Sequence, residues 1–288
     1  MRGKFILSLL IAVCGCSMWP TAPEQQRNKT LRLIAKVPNR EYSLLSPKPA
    51  EKEEVIYCLK STYLYPYGMV GDVVKVGAYS GTISCVVEGD FISYDLYENE
   101  KIAICSFDSC LLLYNINTEV LDTLLSDRTF NDVKFLDSTT LILLDASKLY
   151  KLVMGDTVIE SLFEVDEAYY FDISPSARFL VTSTGLVYDF NGVVEWVSPE
   201  GIGFAFSPKN DSLLVFASAK YEGYLGIANW RLNKIEYQDS KVAGGSRTRD
   251  PVFHIDGNKI FFAATNPEVA GLILYPYQYS LWEYCGVK

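Results

Sequence analysis

YYFDISPSARFLVTS (Tyr169–Ser183) and GIGFAFSPKNDSLLVFAS (Gly201–Ser218) are two spellings of one phrase. In each, alternating apolar residues lead into Ser-Pro, a few turn-forming residues follow, and an apolar β-rich run comes next. That order describes a hairpin, with a strand on either side of a tight turn. Weaker copies stand at SYDLYENEKIAI from Ser93, DVKFLDSTTLILL from Asp132 and PVFHIDGNKIFFAA from Pro251.

The residues just before the turns are Leu96, Phe135, Ile173, Phe206 and His254. A repeat of about forty residues built only of strands points to propeller blades, or less often to a β-solenoid. Composition agrees, because aromatics make up 14% of the chain and β-branched and aromatic residues suit half-buried pleated surfaces. No sustained helical period interrupts the strands after Gly89. The five marked hairpins give five blades, and the stretch from Leu31 to Gly89 can supply one more plus a closing strand. The expectation is an all-β, single β-propeller of four-stranded antiparallel sheets over 31–288, with six blades first and seven second. The N-terminal strand should complete the last blade, since an open ring would leave bare edges.

The Ser-Pro turns and PVFHIDGNKIFF resemble the hairpins of WD-repeat and TolB-like propellers. LLLYNINTEVLDTL (Leu111–Leu124), GLVYDFNGVVEWV (Gly185–Val197) and LGIANWRLNKIEYQ (Leu225–Gln238) resemble the outer hairpin of such a blade. The resemblance covers residues 90 to 288 and implies architecture, not activity, since propellers host many unrelated functions.

The N-terminus reads as an export signal. MRGKFILSLLIAVCGC carries Arg2 and Lys4 ahead of a short apolar run from Phe5 to Val13, too short to span a bilayer. Val13-Cys14-Gly15-Cys16 resembles the lipobox of bacterial lipoproteins, departing from it at Cys14. The resemblance implies a signal peptide over 1–15, lipidation of Cys16, and a polar tether over 16–30. Two or more acyl chains anchor a protein stably. Ser17 lacks the Asp-type retention signal, so the implied address is the outer membrane, facing the periplasm.

The formal charge is −9, from 26 basic and 35 acidic side chains, and loss of Arg2 and Lys4 makes it more negative. That sign repels phosphate backbones, so no nucleic-acid partner is expected. His254 is the single histidine, too few for an imidazole-rich metal site, and a Ser-His-Asp triad would need it. Its place among apolar markers reads as a half-buried blade residue. No phosphate loop, G-x-S-x-G or zinc spacing occurs, so no catalytic residue, no metal and no cofactor is expected. Asp166/Glu167 and Glu98/Glu100 are acid pairs that nothing in their spacing selects.

Once Cys14 is removed and Cys16 lipidated, Cys58, Cys85, Cys105, Cys110 and Cys285 remain. Cys105 and Cys110 flank SFDS and are candidates for a local disulfide. Tyr-Pro-Tyr recurs in YLYPYG and LYPYQY, making Tyr63, Tyr65, Tyr67, Tyr275, Tyr277 and Tyr279 candidates for an aromatic binding surface. The reading that joins these features is a non-enzymatic envelope lipoprotein with a protein partner, its propeller a rigid scaffold, as resemblance to TolB-like and BamB-like propellers implies. Two alternatives stand beside it. One is a glycan or small-ligand-binding lipoprotein, with a deep funnel ringed by aromatics. The other is a carboxylate-dependent hydrolase or lyase of the glycosidase or lactonase kind, with acids converging on the axis.

Overall fold

The computed structural model describes residues 31–37, 42–50, 54–64, 68–156, 158–166, 168–221, 223–240, 248–265, 279–285 and 287. Residues 1–30, expected above to be a signal peptide and tether, lie outside them. The chain opens with β1 (Leu31–Ala35) and then enters a sheet made of β2 (Ser43–Pro49), β3 (Val55–Leu64), β4 (Gly68–Gly77) and the first half of β5 (Ile83–Tyr97). Strand β5 serves two blades. Its residues up to Phe91 pair with β4, and those from Phe91 onward pair with β6 (Lys101–Ser106). A register shift between Phe91 and Ser93 marks the point where it changes blade.

Blade two is completed by β7 (Leu111–Asn115) and β8 (Val120–Leu125). Blade three is β9 (Asp132–Phe135), β10 (Thr140–Asp145), β11 (Lys148–Val153) and β12 (Ile159–Glu164). Blade four is β13 (Phe171–Ile173), β14 (Phe179–Thr182), β15 (Leu186–Asp189) and β16 (Val194–Val197). Blade five is β17 (Ile202–Ser207), β18 (Asn210–Ala217), β19 (Tyr224–Asn229) and β20 (Lys234–Asp239), with a 3₁₀ turn at Trp230–Leu232. Blade six holds β21 (Thr248–Phe253), β22 (Ile260–Thr265) and β23 (Tyr279–Tyr284), and β1 pairs with β23 as its outer strand. The described residues therefore form six four-stranded antiparallel blades, closed by the N-terminal strand.

The marked hairpins are the inner hairpins of blades two to six. Their turns use local side-chain chemistry. Ser174 Oγ accepts the amide of Phe179 at 3.1 Å in the Ser-Pro turn, and Glu98 and Asn99 take positive φ in the β5–β6 turn. Asp189 Oδ1 accepts the Asn191 and Val193 amides between β15 and β16.

The apolar interior is divided into slabs, each lying between two neighbouring blades. Val181, Val187 and Trp196 of blade four meet Phe206, Leu214 and Phe216 of blade five. Leu141 and Leu143 of blade three meet Ala103 and Leu111 of blade two. Each sheet is thus buried on both faces, which explains the apolar runs in β10 and β18. Packing is close enough that Gly226 is obligatory, because a Cβ there would stand 2.1 Å from the Phe216 ring.

Closure depends on β1. Ile34 and Ala35 are buried there, and Arg32 pairs with buried Glu283 at 2.8 Å. Deleting residues 1–35 should lower stability by ~3 kcal/mol or more in urea unfolding, by loss of apolar burial and exposure of the β23 edge. Leu33→Ser, at a position 40% exposed, should stay within about 0.5 kcal/mol.

Candidate functional site at the axis

The first strand of each blade faces the axis. Around one end of these six strands lies a cavity of about 750 Å³, lined from Leu45 to Lys48, Ile92 to Tyr94, Asp132 and Lys134, Tyr169 to Asp172, Gly203 to Ala205, and Arg249 to Val252. Strand alternation puts Asp132 and Lys134 on one face of β9.

Four aspartates stand on the inner strands, three of them (Asp132, Asp172 and Asp250) in the cavity wall, and each accepts a backbone amide from the inner strand of the next blade. Asp95 Oδ2 takes Phe135 N at 3.0 Å, Asp132 Oδ2 takes Phe171 N at 2.9 Å, and Asp172 Oδ2 takes Phe206 N at 2.8 Å. Asp250 Oδ2 takes Ser46 N at 3.2 Å across the junction between blades six and one. At the junction of blades one and two, Lys48 Nζ pairs with Asp95 Oδ1 at 3.1 Å and the Tyr94 hydroxyl donates to Ser46 O at 2.9 Å.

The other oxygens of these carboxylates differ. Asp95 Oδ1 is held by Lys48. Asp132 is held on both oxygens by Lys134 Nζ at 3.1 and 3.2 Å, and Ser93 Oγ also donates to it. Asp250 Oδ1 meets Arg249 Nε at 3.4 Å. Asp172 Oδ1 takes no hydrogen bond from the described residues, although Asp172 lines the cavity. Burial raises the Asp172 carboxyl above the ordinary aspartate range, opposed by the Lys48 and Lys134 charges. Burial works to lower Lys48, but Asp95, Asp172 and Asp132 outweigh it and the ammonium is held charged. Burial also raises Tyr94 and Tyr170.

Backbone strain gathers at the same place. Ser46 and Asp250 both take φ of 49°, each within a bulge of its strand, and Gly203 takes +74° in a bulge of β17. Non-glycine residues held in that region cluster at functional sites.

None of these aspartates was among the acids singled out in the sequence. The signal was present in YDLY and FDIS, where a carboxylate stands beside an apolar marker on an inner strand. Glu98 and Glu100 sit exposed around the β5–β6 turn, at the opposite end of the inner strand. Asp166 is exposed and does not line the cavity, and Glu167 lies outside the described residues. His254 is half-buried in the β21–β22 turn, where its Nδ1 accepts the Asp256 amide at 3.2 Å. Cys105 and Cys110 are free thiols, Cys105 buried opposite Leu111 and Cys110 donating to Asp108 O at 3.6 Å. Tyr279 is buried beneath Arg249, whose Cζ lies 5.5 Å from its ring centroid. Tyr63 falls in β3, and Tyr65, Tyr67, Tyr275 and Tyr277 lie outside the described residues. Cys16 lies outside them also. The aromatics that stand exposed at the cavity are Tyr169 and Phe107.

No protein-family model matches the chain, and no curated protein is similar to it in sequence. Solved structures share its fold. It is similar to a gluconolactonase from Xanthomonas campestris (TM-score 0.63, 9% identity, 88% of each chain covered). It is similar to regucalcin from Agrobacterium tumefaciens, described as a calcium-binding protein (TM-score 0.61, 14% identity, 88% of this chain and 94% of that one). A chain of the mitotic checkpoint complex aligns with a TM-score of 0.53 at 9% identity, over 91% of this chain and 84% of that one. At these identities the likeness shows the fold alone, an all-β propeller. It also overturns one expectation. A fold shared with a gluconolactonase accommodates catalysis, so the missing histidine and serine motifs do not make this chain a non-enzyme.

The calcium of the regucalcin description can be tested against the residues present. Three of the axial aspartates have both oxygens committed to amides and cationic side chains, and Lys48, Lys134 and Arg249 already supply the countercharge. No group of three or more His, Cys, Asp or Glu among the described residues could hold a metal ion. The axial set does not fit a divalent cation.

Asp132 and Lys134 are both buried, at 2% and 8% side-chain exposure. Asp132→Ala leaves the ammonium and the Phe171 amide unpaired, and should cost about 3–5 kcal/mol in denaturant unfolding. Asp132→Asn, which keeps an acceptor for the amide, should cost less.

Proposed function

We propose that this chain is a carboxylate-dependent propeller hydrolase acting on a small polar ester, of the lactone class, bound in the axial cavity. The observation that carries this reading is the uncommitted Oδ1 of Asp172, raised toward neutrality by burial and placed with Lys48 and Lys134 in one concave site. The fold shared with a gluconolactonase supports it.

In this reading Asp172 Oδ1 takes a proton from water as the water oxygen adds to the ring carbonyl. The Lys48 and Lys134 ammonium groups stabilise the oxyanion. The ring C–O bond then breaks, and the departing alkoxide recovers the proton from Asp172. The lipobox resemblance is part of the same proposal. A lipid on Cys16 would hold the propeller in the cell envelope, where small polar molecules pass. The TolB-like spelling of the hairpins is consistent with that placement.

Hydrolysis of a panel of five- and six-membered aldonolactones, followed by pH-stat, tests the proposal. Asp172→Asn should lower kcat by about 10²–10⁴-fold while keeping the amide acceptor and the fold. The sign of the pH dependence follows from burial. Because the folded carboxyl is raised, its basic form accumulates only above the usual aspartate range, so wild-type kcat/KM should climb with pH through a limb displaced above about 3.9. The variant should lack that limb. Full activity in Asp172→Asn, or binding of lactones without turnover by the wild type, would overturn the proposal. The second outcome would favour a sugar-binding protein.

A further inference from the structure

A second cavity, of about 740 Å³, lies away from the axis between blades four and five, lined among others by Arg178, Phe179, Asp189, Asn191, Glu195, Trp230 and Arg231. Arg178 sits in the β13–β14 turn and Arg231 in the 3₁₀ turn after β19, so the packing of two blades brings them together. Both guanidinium groups lie over the ring of Phe179, with Cζ at 5.6 and 5.3 Å from its centroid, and Arg231 also lies 5.1 Å from the Trp230 centroid. The rings are fixed. Phe179 and Trp230 are only 7% and 6% exposed and pack edge to face, and the Trp230 indole N–H donates to Asp211 O at 2.6 Å.

Pairing separates these two arginines from the rest. Among the described residues Arg32 meets Glu283, Arg128 meets Asp145 and Arg249 meets Asp250. Among the described residues no carboxylate lies within 4 Å of Arg178 or Arg231, in a chain whose net charge is −9. The acids on the cavity wall do not take that role. Asp189 is saturated by the Asn191 and Val193 amides and the Asn191 side chain, which hold its carboxyl below the usual range. Glu195 is exposed and stands apart from both guanidinium groups. A guanidinium held over an aromatic ring by cation–π attraction has N–H groups left to donate to an oxyanion, and the ring limits its freedom to swing away.

We infer that this cavity is a binding site for an acidic sugar, whose carboxylate or phosphate is held by Arg178 and Arg231 and whose hydroxyls meet Asn191 and Glu195. The volume falls within the usual range of small-ligand sites, and besides the two cations the lining carries the hydrogen-bonding groups of Asn191 and Glu195. The site is independent of Asp172 and of the hydrolase reading.

Isothermal titration of the full chain with glucuronate, glucose 6-phosphate, inorganic phosphate and glucose tests the inference. The acidic sugars should bind and glucose should not. Arg178→Gln and Arg231→Gln, both at exposed positions, should each weaken binding about 10- to 100-fold with unchanged circular dichroism and melting temperature. The stronger of glucuronate and glucose 6-phosphate tells whether a carboxylate or a phosphate is preferred. Binding of glucose as tight as that of the acids, binding of phosphate alone, affinity unchanged in both variants, or no binding by the wild type would each overturn the inference.

Discussion

The hydrogen bond from an axial aspartate to an amide on the next inner strand is the constraint on which the rest of this ring depends. A propeller blade buries both faces against its neighbours, but at the axis the inner strand has only one hydrogen-bonded partner within its own sheet. Its remaining amides face the next blade and need acceptors there. Asp95, Asp132, Asp172 and Asp250 supply them at four of the six junctions. At the junction of blades one and two the link is Lys48 with Asp95, reinforced by Tyr94. Between blades five and six no aspartate intervenes. There β17 and β21 approach directly, and a Cβ on Gly203 would come within 3.2 Å of Pro251 and 3.3 Å of the Asp250 amide. The bulge at Gly203 is the backbone's answer to that close approach.

Those bonds set the character of the cavity. Carboxylates drawn to the axis for structural reasons need countercharge in a partly dry site, and Lys48, Lys134 and Arg249 provide it. Each pairing consumes donor and acceptor capacity, which is why the ring is a poor cage for calcium despite its four carboxylates. Asp172 is the exception, because Ser174 stands two residues after it where Lys134 stands two residues after Asp132. One oxygen therefore stays open to the cavity. The strained Ser46 and Asp250 are joined by their own hydrogen bond where blade six meets blade one, so ring closure and the rim of the site share the same residues.

The propeller was legible because its signal is repetitive and local. Alternation with turn chemistry located the inner hairpins, and counting the residues between Leu31 and Gly89 supplied the sixth blade and its closing strand. The passage of β5 through two blades was not legible, since nothing in TISCVVEGDFISYDLY marks the change of sheet. The site was missed for a different reason. Glu98 with Glu100 and Asp166 with Glu167 are neighbours in sequence, whereas this fold assembles its carboxylates singly, from inner strands of four different blades. A lone aspartate inside an apolar strand, as in FDIS, was the sign to follow. A cation-bearing cleft such as that of Arg178 and Arg231 leaves no trace in sequence, because it depends on which charges the packing leaves unpaired.

The most direct test of the account is a ¹³C NMR titration of the aspartate carboxyl carbons in the folded protein, with Asp172→Asn as the assignment control. The account predicts a carboxyl that titrates above the ordinary aspartate range, is lost in the variant, and shifts when an aldonolactone is added. If no such resonance exists, or if it survives the substitution, Asp172 is one more structural clasp and the chemistry assigned to the axis is wrong.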